Sequence, residues 1–375
     1  MPDTRIAFTS CFDTTFGHAQ PVWARIQAQR PDALLLLGDS IYMDWGLETR
    51  EAVPAWKRDF LADPARGLAR FRQTLYDRYR AQWEHPDFQA LVRSMNGQVR
   101  VVRDDHDFAW NDCTAAGDQT RGRYVPPPMQ AVSHRLFRQF AAALVAPPAT
   151  YPSLDASDLL PATPLWKEAW TVAGVPVLML DQRSACTDIK DPAPSLLGED
   201  QAQWLYGQVE ADGGLLIVAG ATPMRHGRGG WVKTGQQAPF PESWAFPEYR
   251  GFLDAAERAE RPVLYLAGDI HRNDYGGPVE HKSPVIQVVS SGAAQPWLKD
   301  AIKIGLPLFF NKSEKFGMLH LQGLDADRRN GTVWIELHEG EKVDPPIALT
   351  FSEGEWHKPP RGSIRDLTPE PLNAQ

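Results

Sequence analysis

Short, largely apolar runs recur along this 375-residue chain, and several of them end on a residue able to bind a metal. Ala33–Asp39 reads ALLLLGD, and its four consecutive leucines suit a strand covered on both faces better than a half-exposed one. Arg5–Cys11, Val99–Arg103, Val175–Asp181, Gly214–Ala221, Pro262–Asp269 and Pro284–Ser290 have the same form. Helices are expected between them, over Pro21–Arg30, most of 51–96, Ala131–Leu144, Leu197–Val209 and Pro247–Ala259. The proline-rich stretch Ala146–Pro164 reads as an extended excursion. Towards the C-terminus, Met318–Leu321, Thr332–Leu337 and Ile347–Phe351 are strand-like. Strands alternating with helices, then a run of strands, predict two packed sheets with helices outside. No linker divides the chain. It reads as one domain over 1–375, with a helical insertion at about 51–98 and loop insertions at about 146–167 and 222–245.

Charge and cysteine content narrow the function classes. The net charge is −8, whereas a bulk nucleic-acid binder carries a basic face, so duplex DNA or RNA is disfavoured as a partner. An acidic site neutralised by cations fits the same balance. Cys11, Cys113 and Cys186 form neither a disulfide framework nor a C-x-x-C pair, and the last two read as packing residues. No run reaches the ~18 apolar residues of a membrane span. The N-terminal residues lack a secretory-signal pattern, so the expected compartment is the cytoplasm, and no obligate protein partner is evident.

The chemistry gathers where strands stop. Four buried strands run into Cys11, Asp39, Asp105 and Asp269, and in open α/β sheets ligands bind beyond the carboxyl ends of strands. A lone aspartate after a strand is most often a turn or helix cap. Four such positions with tyrosine and histidine partners point to a site. In Gly38-Asp39-Ser40-Ile41-Tyr42, the glycine lets the backbone turn sharply and Asp39 can bridge two cations. A phenol, with its ordinary pKa near ~10, ligates only a strongly Lewis-acidic ion, so Tyr42 points to Fe(III). Asp269 and His271 are two apart and share one face if the strand continues. Cys11, Asp39, Tyr42 and His271 then form a mixed S/O/N set. Oxygens of Asp39, Asp105 and Asp269 form a carboxylate-only set suited to Ca²⁺, Mn²⁺ or Mg²⁺. Three carboxylates within Asp104-Asp105-His106-Asp107 repel one another without a cation, and His106 stands where it can donate a proton to a leaving alkoxide.

With these residues the sequence resembles the alkaline phosphatase D (PhoD-like) branch of the calcineurin-like metallophosphoesterases, from about Ile6 to Gly292. The likeness rests on Ser10-Cys11, Gly38 to Tyr42, Asp104 to Asp107 continuing to Asn111-Asp112, and Leu180-Asp181-Gln182-Arg183. It continues in Leu197-Gly198-Glu199-Asp200-Gln201 with Trp204-Leu205, Gly268-Asp269-Ile270-His271 and Ser290-Ser291-Gly292. It implies a four-layer α/β/β/α sandwich that hydrolyses phosphomonoesters, phosphodiesters or both. It implies Fe(III) held by Cys11, Asp39, Tyr42 and His271, and calcium held by Asp39, Asp105 and Asp269. In-line attack on phosphorus by hydroxide held at that binuclear centre is the implied mechanism, with His106 as the proton donor. One departure stands out. Where relatives carry a Gly-Asn-Gln-like turn, this chain reads Gly220-Ala221-Thr222-Pro223, so the second cation either lacks a ligand or takes one from the insert.

Arg225 and His226, in that insert, are candidate substrate-binding residues, with a plain surface role as the other reading. Arg183 is expected to anchor its loop by an ion pair. The insert and the 146–164 excursion are expected to roof the site and shape a slot for a diester. A non-hydrolytic metal-binding scaffold of the same fold is the alternative class. Iron redox chemistry is disfavoured, since an iron saturated by Cys, Tyr, Asp and His lacks the open face of an oxygenase.

Overall fold

A computed structural model of the chain describes residues 3–14, 19–44, 54–164, 167–211, 213–224, 246–276, 284–294, 314–353 and 355–357. Its first half runs β1 (Thr4–Thr9), α1 (Val22–Ala28), β2 (Ala33–Leu37), α2 (Ala55–Ala62), α3 (Pro64–Glu84), α4 (Pro86–Ser94), β3 (Val99–Val102), α5 (Asp105–Phe108) and α6 (Pro127–Val145). Its second half runs β4 (Glu168–Val172), β5 (Val175–Met179), α7 (Glu199–Glu210), β6 (Leu216–Ala219), α8 (Pro247–Ala259), β7 (Val263–Ala267), β8 (Asp274–Gly276) and β9 (Val285–Val289). The remaining strands are β10 (Lys315–Gln322), β11 (Gly331–Glu339), β12 (Lys342–Val343), β13 (Ile347–Ser352) and β14 (Glu355–His357).

Two mixed sheets result. One has the order β14-β13-β11-β10-β1-β2-β3, with β12 beside β11, and its β1, β2 and β3 are parallel. The other has the order β4-β5-β6-β7-β9-β8, parallel from β5 to β9 with an antiparallel strand at each edge. The leucine run of β2 explains the layering. Leu35 and Leu37 enter an interior shared with Ile217, Leu264 and Ile286 of the second sheet. Leu34 and Leu36 face the other way, against Trp23, Phe71, Phe88 and Phe140 of the helices. Each of the four is fully buried, a stabilisation of roughly 2 kcal/mol per side chain. The second sheet repeats the pattern, with Leu216 and Val218 turned to Leu205, Val209 and Phe252 of α7 and α8. The layers are therefore α/β/β/α, as expected.

The helical insertion is cut by its own sequence. Asp63 caps α3 by accepting the Arg66 amide at 3.1 Å, and Pro64 occupies the first turn. The buried face then repeats as Gly67, Phe71, Leu75, Tyr79 and Trp83. His85, held extended by Pro86, separates α3 from α4. Helix α6 begins at Pro127 rather than near Ala131, because prolines in a first turn lack only N–H groups the helix does not use. The 146–164 excursion carries a short 3₁₀ turn over Leu154–Leu159. Among the described residues its hydrogen bonds run to α3, α4 and α6, through Tyr76 and Gln139 onto Pro152, Arg72 onto Asp158 and Arg93 onto Pro148.

Gly38 illustrates how tightly the two parallel loops approach. Its φ is +90°, and an added Cβ would lie 2.8 Å from the Asp104 Cβ and 2.9 Å from the Ala221 Cβ. Gly38→Ala is expected to destabilise the protein by about 2–3 kcal/mol, read by urea unfolding. Gly207→Ala is the control. Nothing lies within 4 Å of that position in α7, and the change should stabilise by up to about 1 kcal/mol.

Candidate metal centre

The ligand-type residues lie just past the strands, not on them. Cys11, Asp39 and Asp269 each fall two residues beyond β1, β2 and β7, and all three take left-handed φ values of 59°, 51° and 68°. Such backbone is unfavourable for residues with a Cβ and persists where surrounding contacts impose it, commonly at functional sites. Here the Cys11 amide donates to the Gly38 carbonyl at 3.2 Å and the Phe12 amide to that of Asp39 at 2.9 Å, tying two of the turns together. His271 is also left-handed, at 52°. The expectation that Asp269 and His271 share a face of one continued strand therefore fails. β7 stops at Ala267, and a tight turn presents the two side chains instead.

Cys11, Asp39, Tyr42 and His271 converge. The Cys11 thiol donates to Asp39 Oδ2 at 3.4 Å, and the Tyr42 hydroxyl donates to the same oxygen at 3.1 Å. That hydroxyl lies 3.0 Å from His271 Nε2. Ser291 donates to Cys11 Sγ at 3.1 Å and accepts the His271 amide at 2.9 Å, fixing both from behind. Burial pushes the Cys11 thiol up, so a cation is what would favour its thiolate. Burial, helped by His106 and Lys315, lowers His271 to about 3, leaving a neutral imidazole able to ligate.

Among the described residues, Asp39 is common to every cluster of ligand-type side chains. Its ligand atoms lie within 4.8 Å of those of Cys11 and His271, of Asp105 and His106, and of Asp104 and Asp269. Asp105 and Asp269 thus meet Asp39 in separate groups, and Asp104 enters where the sequence reading had not placed it. Burial drives the Asp39 pKa well above the carboxylate range, and Cys11, Asp105, Asp104 and Asp107 add to the rise. Its Oδ1 is buried without a hydrogen-bond partner among the described residues. A shared carboxylate with an unpaired oxygen, facing thiol, imidazole, phenol and further carboxylates, fits a bound cation.

The acidic run Asp104–Asp107 is not a solvated turn. Asp104, Asp105 and Asp107 are all buried. Asp104 and Asp107 form a reciprocal capping box on α5, and Asp107 also accepts the Ser40 amide at 2.8 Å. Asp105 accepts its neighbour His106 N–H at 2.9 Å and that of Asp112 at 2.5 Å. Burial works against its charge, but Arg183 and His106 outweigh it and its pKa falls. Arg183, buried too, grips Asp104, which bears out its reading as an ion-pair residue. Burial still carries Asp104 up to about 6 against the pull of that guanidinium.

His106 has a partner that the sequence did not reveal. Its Nδ1 lies 2.5 Å from Asp44 Oδ1, while Asp44 Oδ2 accepts the Asn111 amide at 3.0 Å. Burial opposes the imidazolium, but Asp44 and Asp105 outweigh it and raise His106 to about 10. The ring also packs on Tyr42, with centroids 4.3 Å apart. Asp44 and Asp104 were missed because neither closes a periodic pattern. Only the short spacing from Asp39 to Asp44 hinted at the first. Arg225 and His226 lie outside the described residues.

An α/β/β/α sandwich with these groups gathered at its strand ends defines a candidate metalloprotein. The family model for PhoD-like phosphatases matches residues 6–288, and the chain belongs to that family of phosphoester hydrolases. No curated protein matches the sequence. Among solved structures, one crystal structure aligns at 11% identity and a TM-score of 0.41 over 90% of this chain and 99% of its own. The crystal structure of TT1561 of Thermus thermophilus aligns at 10% identity and a TM-score of 0.35, over 78% and 90%. Among the described residues no helix is long and apolar enough to cross a membrane.

Proposed function

We propose that the chain hydrolyses phosphodiesters or phosphomonoesters with two unlike cations that Asp39 and its neighbouring ligand-type residues would hold. The observation that carries this reading is the buried Asp39 carboxylate, placed among like charges with one oxygen unpaired. Cys11, Asp39, Tyr42 and His271 would hold Fe(III), the ion that phenolate and thiolate together favour. Asp39, Asp105 and Asp269 would hold Ca²⁺, or Mn²⁺ or Mg²⁺, as oxygen donors do. Two such ions would supply Lewis acidity, acidifying water at the site and drawing charge from the phosphoryl oxygens.

The remaining steps belong to side chains. Asp44 orients the His106 ring through Nδ1, which leaves Nε2 as the atom that gives a proton to the leaving oxygen. Arg225 and His226 remain the candidates to hold a non-bridging oxygen or the second ester group. The family membership and the thiol–phenol–imidazole cluster support hydrolysis over a non-hydrolytic scaffold. Ester preference is decided by assay. Initial rates on bis(p-nitrophenyl) phosphate and p-nitrophenyl phosphate, run side by side, decide it. No turnover of either by metal-loaded protein would favour the scaffold.

Asp44→Asn tests the proton donor. Esters with poor leaving groups are expected to slow by about 10–100-fold, and p-nitrophenyl esters much less. An equal loss for both leaving groups would deny His106 that role.

A further inference from the structure

The two carboxylate oxygens of Asp104, a fully buried residue, stand in unlike surroundings. Oδ1 accepts the Asp105 amide at 3.0 Å and the Arg183 Nε–H at 2.5 Å. Oδ2 has no hydrogen-bond partner among the described residues. A buried, unpaired carboxylate oxygen is unfavourable and calls for a partner. One oxygen of this carboxylate lies within 4.8 Å of ligand oxygens of Asp39 and Asp269, and Asp39 Oδ1 is unpaired as well. The absence of a side chain at Gly38 brings the Asp39 turn against Asp104, since a Cβ there would overlap the Asp104 Cβ. Ala221, on the other side of that contact, offers no side-chain ligand atom.

We propose that Asp104 is a further ligand of the carboxylate-bound cation, and that Arg183 is the positioning residue that clamps Oδ1 and leaves Oδ2 for the ion. This rests on the two-metal reading above and extends its oxygen site beyond Asp39, Asp105 and Asp269. The guanidinium has a second function in this arrangement. By neutralising part of one carboxylate, it lowers the repulsion between Asp104 and the neighbouring Asp39 and Asp269. Arg183 donates its Nε–H to Oδ1 at 2.5 Å, and its Nη2 makes an ion-pair contact with the same oxygen.

The test is calcium binding to the iron-containing protein, measured by isothermal titration calorimetry with Ca²⁺ alone. Asp104→Asn retains a good N-cap residue for α5 and is expected to weaken Ca²⁺ binding by about 10-fold or more, with iron content unchanged. Arg183→Lys keeps the charge but not the fork, and should weaken binding by roughly 3–10-fold. Asp39→Asn is the reference and should abolish binding. Wild-type affinity in Asp104→Asn, beside lost binding in Asp39→Asn, overturns the role of Asp104 alone. Wild-type affinity in Asp39→Asn overturns the two-metal reading itself. Should Asp104→Asn fail to fold with Arg183 left unpaired, Asp104→Asn/Arg183→Met answers by the same criterion: weakened binding supports the proposal and unchanged binding overturns it.

Discussion

Asp39→Asn is expected to lower kcat/KM for both p-nitrophenyl esters by about 10³-fold or more, because one side chain contributes to every ligand cluster. Each tenfold loss corresponds to about 1.4 kcal/mol of transition-state stabilisation, so this is a demand of roughly 4 kcal/mol on one bridging carboxylate. The stability effect should have the opposite sign. The folded-state pKa of Asp39 is raised, so its charge opposes folding at neutral pH when no cation is bound. The metal-free variant should therefore melt no lower than metal-free wild type. A variant that lost activity by unfolding would instead melt well below it.

The second large effect lies behind the site. Arg103 is buried, bonded to Asp181 at 2.9 Å and to His134 Nδ1 at 2.7 Å, and its guanidinium lies over Phe108 and Phe137. Arg103→Met should cost about 3–5 kcal/mol, since it strands Asp181 as an unpaired buried charge, and Arg103→Met/Asp181→Leu should recover part of that loss. The same cluster sets acid sensitivity. Burial, reinforced by Arg103, lowers His134 to about 3, well below its ordinary value. Between those values the unfolded chain binds the proton and the folded chain does not. The His134 contribution is thus fully present above about pH 6.5 and is lost as pH falls toward 3, at up to roughly 1.4 kcal/mol per unit. Urea midpoints at pH 7, 6, 5 and 4 should fall more steeply for wild type than for His134→Gln. Parallel curves would contradict the assignment.

Periodicity reached far in this chain, and its failures are physical. The β2 leucines declared a doubly covered strand because burial on both faces leaves no polar alternation. The same logic located the strand ends and with them Cys11, Asp39 and Asp269. The edge strand β4 escaped notice, since its alternating exposure in Glu168–Val172 follows a proline-rich segment that masks it. Tertiary partners lay further out of reach. Nothing local in Asp44 says that it will face His106, 62 residues away. Nothing local in Asp104 says that Arg183 will neutralise it, 79 residues on. The turn carrying Asp269 and His271 is not legible as a turn, because left-handed aspartate and histidine leave no compositional mark.

The most direct measurement of the central claim is metal stoichiometry joined to turnover. The protein would be stripped by chelation, assayed, and reloaded with iron, with calcium, and with both. One iron and one divalent ion per chain, with hydrolysis returning only when both are present, is the expected result. Full activity in stripped protein, or stoichiometric loading of both ions with no phosphoester turnover, would contradict a two-cation hydrolase centred on Asp39.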